Sequence, residues 1–199
     1  MASWNAIKSQ IQIFLSGEPA LNLPSTEDLD RFESSTGFLL PLDYRDFVLS
    51  FGLGSFEPGT WYFAVPGFHD EAPNYDPTGL TEFLRTGSGF DERSDEDLAK
   101  EFDDPQRARR LLLFCTTATN DFFGWDPEDV TDADTREYGI YMLGRYDTRV
   151  TRLATTFREF VLNYCFEGAM KPDGSGYQKV PEGREPDDYP IQFGVTPRG

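Results

Sequence analysis

Acid–base chemistry most often recruits histidine, and the chain carries one, His69, in the stretch GFHDEAP. Asp70 and Glu71 stand beside it and are metal-ligating types. Sequence neighbours in a loop rarely converge on one ion, and no second histidine completes a zinc site. His69 therefore reads as a surface-loop residue. DPEDVTDADTRE, residues 126–137, is rich in oxygen ligands suited to calcium, but it lacks the central glycine of an EF-hand loop and reads as a solvated acidic loop. Cys115 and Cys165 each occupy an apolar run where a small hydrophobe serves equally well, and no Cys-x-x-Cys pair offers a metal or redox site.

Other templates also fail. The chain has no Walker lysine loop, no G-x-G-x-x-G between strand and helix, and no G-x-S-x-G elbow. Carboxylates are so numerous that spacing singles out no glycosidase pair. The expectation is a non-enzyme with no catalytic residues, no metal and no cofactor.

The charge balance points instead to partners. Thirty-five acidic residues against 18 basic ones give a formal net charge of -17. Such a surface repels nucleic-acid phosphates and anionic lipid and steers basic proteins toward itself. Direct nucleic-acid binding and membrane binding are both disfavoured. Eighteen Phe and nine Tyr supply enough apolar area to offset chain entropy, and 199 residues suit one sizeable core. MASWNAIKSQIQIFLSG is interrupted by Asn5, Lys8, Ser9, Gln10 and Gln12, so it does not read as a signal sequence, and a cytoplasmic location is expected.

Spacing then predicts the elements that position these groups. Trp4, Ile7, Ile11 and Phe14 recur at helical intervals, giving a first helix from Ser3 to Leu15 that Gly17 and Pro19 end. Ser25 caps a second, with Asp28 three residues on and Leu29 and Phe32 inward; Gly37 stops it. Pro41 and Asp43 open a third, with Tyr44, Phe47, Val48 and Phe51 on one face and Gly52 and Gly54 ending it. TWYFAV reads as a short strand in otherwise irregular chain from 56 to 90, with a short helix at 78–85; residues 91–104 read as a solvated acidic helix with little core to contribute. LLLFC at 111–115 is a central strand, with neighbours at 121–126, 138–145 and 150–154. Thr155 or Thr156 caps a last helix with Phe157, Phe160, Val161, Tyr164 and Cys165 on one face. After Gly168 repeated breakers predict a tail, draped over the domain by Tyr177, Tyr189, Ile191 and Phe193 or partly disordered.

The segment DLDRFESSTGFLLPLDYRDFVLSFGLG, residues 28–54, resembles the signature of the SUKH superfamily, the group that includes bacterial Syd and the yeast cell-wall regulator of the Smi/Knr type. An acidic helix leads into G-x-x-LP-x-DYR-x-F and then a glycine-bearing turn. LLLFCTTATNDFFGWDPED, YGIYML and TTFREFVLNYC are similar to the second half of that family, so the likeness spans most of residues 25–166. The glycines after the third helix are split as GLG where the family often carries them adjacent. The resemblance implies an α+β domain, an antiparallel sheet of four to six strands flanked by helices. It occupies residues 1–166 with an insertion at about 57–104, and a Pro/Gly-rich tail follows at 167–199.

Bacterial members of that family are implied to be immunity proteins that bind and block a cognate toxin domain, often a nuclease; eukaryotic members are regulatory or scaffolding modules. The expected partner is a basic toxin protein, and monomer and homodimer both stay open. Gly37, Leu40, Pro41, Tyr44, Phe47 and Gly52 have a sufficient structural task at the corner between the second and third helices. The expected contact surface combines Trp61 and Tyr62 as aromatic anchors with Asp95, Glu96, Asp97, Glu128, Asp129 and Asp132 as a charged rim.

Overall fold

The computed structural model describes residues 1–15, 20–56, 60–68, 70, 72–87, 92–144, 149–176, 178 and 191–196. His69 and Glu71 of the histidine loop, and Gly17, Pro19, Tyr177 and Tyr189, lie outside the described residues. From the N-terminus come helix α1 (Trp4–Lys8), strand β1 (Gln12–Leu15), helices α2 (Thr26–Thr36) and α3 (Leu42–Phe51), and strands β2 (Gly54–Phe56) and β3 (Trp61–Phe63). Helices α4 (Pro77–Gly87), α5 (Asp95–Leu98) and α6 (Pro105–Arg110) follow. Strands β4 (Leu112–Thr117), β5 (Phe122–Asp132), β6 (Glu137–Leu143) and β7 (Val150–Ala154) then lead to helix α7 (Phe157–Phe160), a π-helical turn at Val161–Cys165, and strand β8 (Gln192–Val195).

The strands form one sheet in the order β1-β8-β2-β3-β4-β5-β6-β7, antiparallel except where β1 runs alongside β8. The fold is α+β, with eight strands among the described residues where four to six were expected. Three segments account for the difference. The helix expected to reach Leu15 ends at Lys8, because Gln12–Leu15 finds a full register of partners in β8, whose pairing outweighs the local helical spacing. Gly54–Phe56, read as a helix stop leading into irregular chain from residue 56, is bracketed by β8 and β3. The tail contributes β8 itself.

Strand alternation sends side chains to opposite faces. One face carries the main core: Phe63, Phe114, Phe123, Trp125 and Ile140 meet Trp4 of α1, Leu29 and Phe32 of α2, Tyr44, Phe47 and Phe51 of α3, and Phe157 and Phe160 of α7. The other face carries a smaller cluster in which Leu113, Phe122, Tyr141 and Leu143 meet Leu80 of α4, Leu98 of α5 and Ala108 of α6. The stretch expected to form a solvated acidic helix is a single turn, α5, and its Leu98 is fully buried. Strand β5 also runs on through Asp132, so much of the expected acidic loop is strand, its register with β6 shifting around Val130.

The corner between α2 and α3 forms as the residues dictate. Ser25 Oγ accepts the Asp28 N–H at 3.1 Å while Asp28 Oδ2 accepts the Ser25 N–H at 2.9 Å, a reciprocal cap. Gly37 adopts φ 71° and ends the helix in the left-handed conformation. Phe38 then stacks on Trp125 at 5.6 Å, and Leu40 is buried with its N–H donated to Glu33 Oε1 at 2.9 Å. Tyr44 is fully buried and donates its hydroxyl to the Ala64 carbonyl at 2.6 Å, tying α3 to the end of β3. Tyr44→Phe keeps the ring and strips that bond, so urea unfolding should show a loss of about 1–2 kcal/mol with an unchanged fold.

Candidate functional site

The N-terminus of α3, the tip of the β5–β6 hairpin and the start of α7 enclose a groove of about 750 Å³. The Leu42 N–H donates to the Thr135 carbonyl at 3.1 Å, which fixes the hairpin tip beside the helix. Asp132 turns the hairpin by accepting the N–H groups of Asp134 at 2.9 Å and Thr135 at 3.2 Å. Across the groove, Thr156 caps α7 by accepting the Glu159 N–H at 3.1 Å, and Glu159 Oε2 accepts from the Thr155 N–H at 2.7 Å.

Among the described residues four carboxylates line this groove: Asp43, Asp132, Glu137 and Glu159. Among the described residues one basic side chain joins them, Arg158, and it is already engaged. It donates to Asp43 Oδ1 at 2.6 Å and to the Ala2 carbonyl at 2.9 Å, and its guanidinium carbon lies 4.5 Å from the Trp4 ring centroid. Asp43 Oδ2 is cut off from solvent and accepts no hydrogen bond from a described residue. Glu137 is only 4% exposed; its Oε2 accepts the Phe157 N–H at 2.9 Å. Burial raises its pKa to about 7, with the charges of Asp43 and Asp132 adding to the rise and the Phe157 N–H and Arg158 opposing it. Leu42, Leu162 and Pro172 supply apolar wall.

The residues singled out from sequence are spread over several elements. Trp61 is half-buried on the main core face, 5.1 Å from Phe123 and 5.8 Å from Phe160. Tyr62 is 42% exposed and points to the opposite face of β3. Asp95, Glu96 and Asp97 sit exposed on α5, where Asp95 pairs with Arg109 at 3.2 Å and Asp97 with Lys100 at 2.7 Å. Glu128 pairs with Arg110 at 3.3 Å; Asp129 meets Arg152 at 2.9 Å and accepts the Tyr141 hydroxyl at 2.8 Å. Of the eight, Asp132 alone belongs to the groove.

Asp126 explains why the neighbouring arginines stay put. It is fully buried and accepts from Arg107 Nε at 2.9 Å and Arg110 Nε at 2.6 Å, binding α6 to β5. Burial pushes its carboxyl up, but the hydrogen bonds from Arg110 and Arg107 outweigh this and leave it below the ordinary value. Burial also pushes the Cys115 and Cys165 thiols well up, which leaves both as unreactive packing groups.

Among the described residues no group of three or more His, Cys, Asp or Glu converges to hold a metal ion, and no helix is long and apolar enough to cross a membrane. Sequence reasoning missed Glu137, Arg158 and Glu159 as groove residues and took Asp43 only as a helix-end charge. The one local signal was a glutamate set directly before the apolar run of β6. No curated protein and no solved structure matches the chain. A family model does match, over residues 23–163, and with the corner and hairpins just described it shows that the chain belongs to the SMI1 / KNR4 family (SUKH-1).

Proposed function

We propose that the chain is an immunity protein that binds a cognate bacterial toxin domain directly and neutralises it, the toxin being basic and of the nuclease type. Family membership over residues 23–163 carries this reading. The net charge of -17 and a groove with more carboxylates than cations suit a basic partner. Neutralisation of this kind works by occupying the toxin and uses neither catalysis nor a cofactor. The test is capture from the native lysate at low and high salt, with toxin activity assayed in the bound state. The expected outcome is one basic polypeptide, released by salt and inactive while bound. Recovery of several housekeeping proteins would replace this reading with the alternative, a regulatory scaffold of the Smi/Knr type.

Exposed rim charges act mainly on association rate. The triple variant Asp95→Asn, Glu96→Gln, Glu128→Gln should slow association with the toxin about tenfold at low salt in stopped-flow, with the difference vanishing at high salt. Unchanged low-salt rates would count against an electrostatically steered complex.

A further inference from the structure

We propose that the groove between α3, the β5–β6 hairpin and α7 receives a lysine or arginine side chain presented by a protein partner, the stem lying along Leu42 and Leu162 and the cation meeting Glu137. The inference rests on reading the chain as a protein-binding module and goes further by naming the site and the side chain it takes.

Three observations converge on a basic side chain. The first is charge: Asp43, Asp132, Glu137 and Glu159 face one engaged guanidinium, Arg158. The second is unmet demand. Asp43 Oδ2 is shut from solvent with no hydrogen-bond partner among the described residues, so of that carboxylate's two oxygens only the one paired with Arg158 is satisfied. Glu137, nearly fully buried, has Oε2 engaged by the Phe157 N–H, which makes Oε1 the oxygen that the cation meets. The third is shape. The carboxylates are spread along about 750 Å³ and do not close on a point, which suits a long side chain better than a metal ion. The apolar wall of Leu42, Leu162 and Pro172 suits the methylene stem that such a side chain buries while its head stays polar.

Glu137 also makes this binding pH-dependent. The charged groups facing it are Asp43 from α3, Asp132 from the hairpin, and Arg158 and Glu159 from α7, with Met1 on the rim. Lowering the pH through about 7 protonates Glu137 and removes the charge that meets the cation.

The test is amide-shift NMR on the full chain with acetyl-Ala-Lys-Ala-amide, its arginine counterpart and its glutamine counterpart. The basic peptides should move the amides of Leu42, Asp43, Thr156 and Arg158 while the glutamine peptide leaves them still. Affinity should fall about tenfold between pH 8 and pH 6. Glu137→Gln, which keeps an acceptor for the Phe157 N–H and leaves Met1 in place, should bind about tenfold more weakly at pH 8 and lose the pH dependence. That variant's own fold has a check. Folded Glu137 holds its proton to about pH 7, against an ordinary 4.5, so its contribution to stability is full below pH 4.5 and falls as pH rises to 7. Glu137→Gln should therefore unfold at higher urea than the parent at pH 8 but not at pH 4. Shifts spread over α5 and β5 with no focus in the groove, or binding by the parent chain that ignores pH, would overturn the proposal. Toxin capture undiminished by Glu137→Gln, with no peptide shifts, would sink the groove alone. Peptide binding with no toxin captured would sink the immunity reading alone.

Discussion

Gly52→Ala should leave no folded protein, while Gly37→Ala, the other glycine of the corner, should cost only about 1–2 kcal/mol. The two share a positive φ, 72° and 71°, and a comparison confined to that angle would rank them alike. Their surroundings and their ψ values separate them. Gly37 has ψ 4°, the ordinary left-handed cap, and a Cβ there would meet nothing within 4 Å. Gly52 has ψ -156°, a region essentially reserved for glycine, and a Cβ would fall 2.1 Å from the Asn22 carbonyl oxygen and 2.7 Å from its carbon.

Asn22 cannot step aside. It is buried, its carbonyl accepts the Leu53 N–H at 2.9 Å, and its Nδ2 donates to the Thr196 carbonyl at the end of β8. Relieving the clash would therefore break the linker before α2, the corner after α3 and the C-terminal strand together. A loss of at least about 5 kcal/mol is expected, the whole stability of a domain at the low end of the usual range. Circular dichroism and urea unfolding of both variants decide it. A native spectrum for Gly52→Ala with a midpoint near that of Gly37→Ala would show that the chain path at Asn22 is softer than its hydrogen bonds imply.

The contrast between these glycines marks where sequence was legible and where it was not. Local chemistry was readable: Ser25 with Asp28, Gly37 as a left-handed stop, the inward face of Tyr44, Phe47, Val48 and Phe51, and a cap of α7 at Thr155 or Thr156, the role Thr156 takes, all follow from neighbours within about one turn. Gly52 read as a helix stop, but its need for glycine comes from Asn22, thirty positions away, which no spacing rule reaches. Strand β1 was misread for the same reason. Ile7 and Ile11 do fit one helical face, and both are buried, yet the partner that makes Gln12–Leu15 a strand lies at the far end of the chain. The groove was the least legible feature. Asp43, Asp132, Glu137 and Arg158 come from three parts of the chain, and in a sequence with 35 acidic residues no single carboxylate stands out until the fold assembles four of them around one arginine.

Deleting residues 191–199 should unfold the protein, although composition alone marks everything after 166 as a tail. Strand β8 is not an edge addition. It lies between β1 and β2, and it is the strand to which β1 pairs. Ile191, Phe193 and Val195 are each at most 2% exposed, and the Phe193 ring lies 5.1 Å from Phe51 and 5.0 Å from Phe56. Burying side chains of this size contributes about 1.5–3 kcal/mol each, so their joint removal approaches the whole stability of a typical domain before any ladder hydrogen bond is counted. The deletion also strips Asn22 of its contact at Thr196 and exposes β2 as an unpaired edge, which favours aggregation over an orderly intermediate. Phe193→Ala gives the graded comparison, with an expected loss of about 3–5 kcal/mol and a fold that survives at low temperature. A deletion variant that stays soluble, with native circular dichroism and a cooperative urea transition, would mean that the sheet from β2 to β7 stands alone and that the domain closes at residue 166. Insolubility of the deletion together with a folded Phe193→Ala would place β8 inside the domain's cooperative unit.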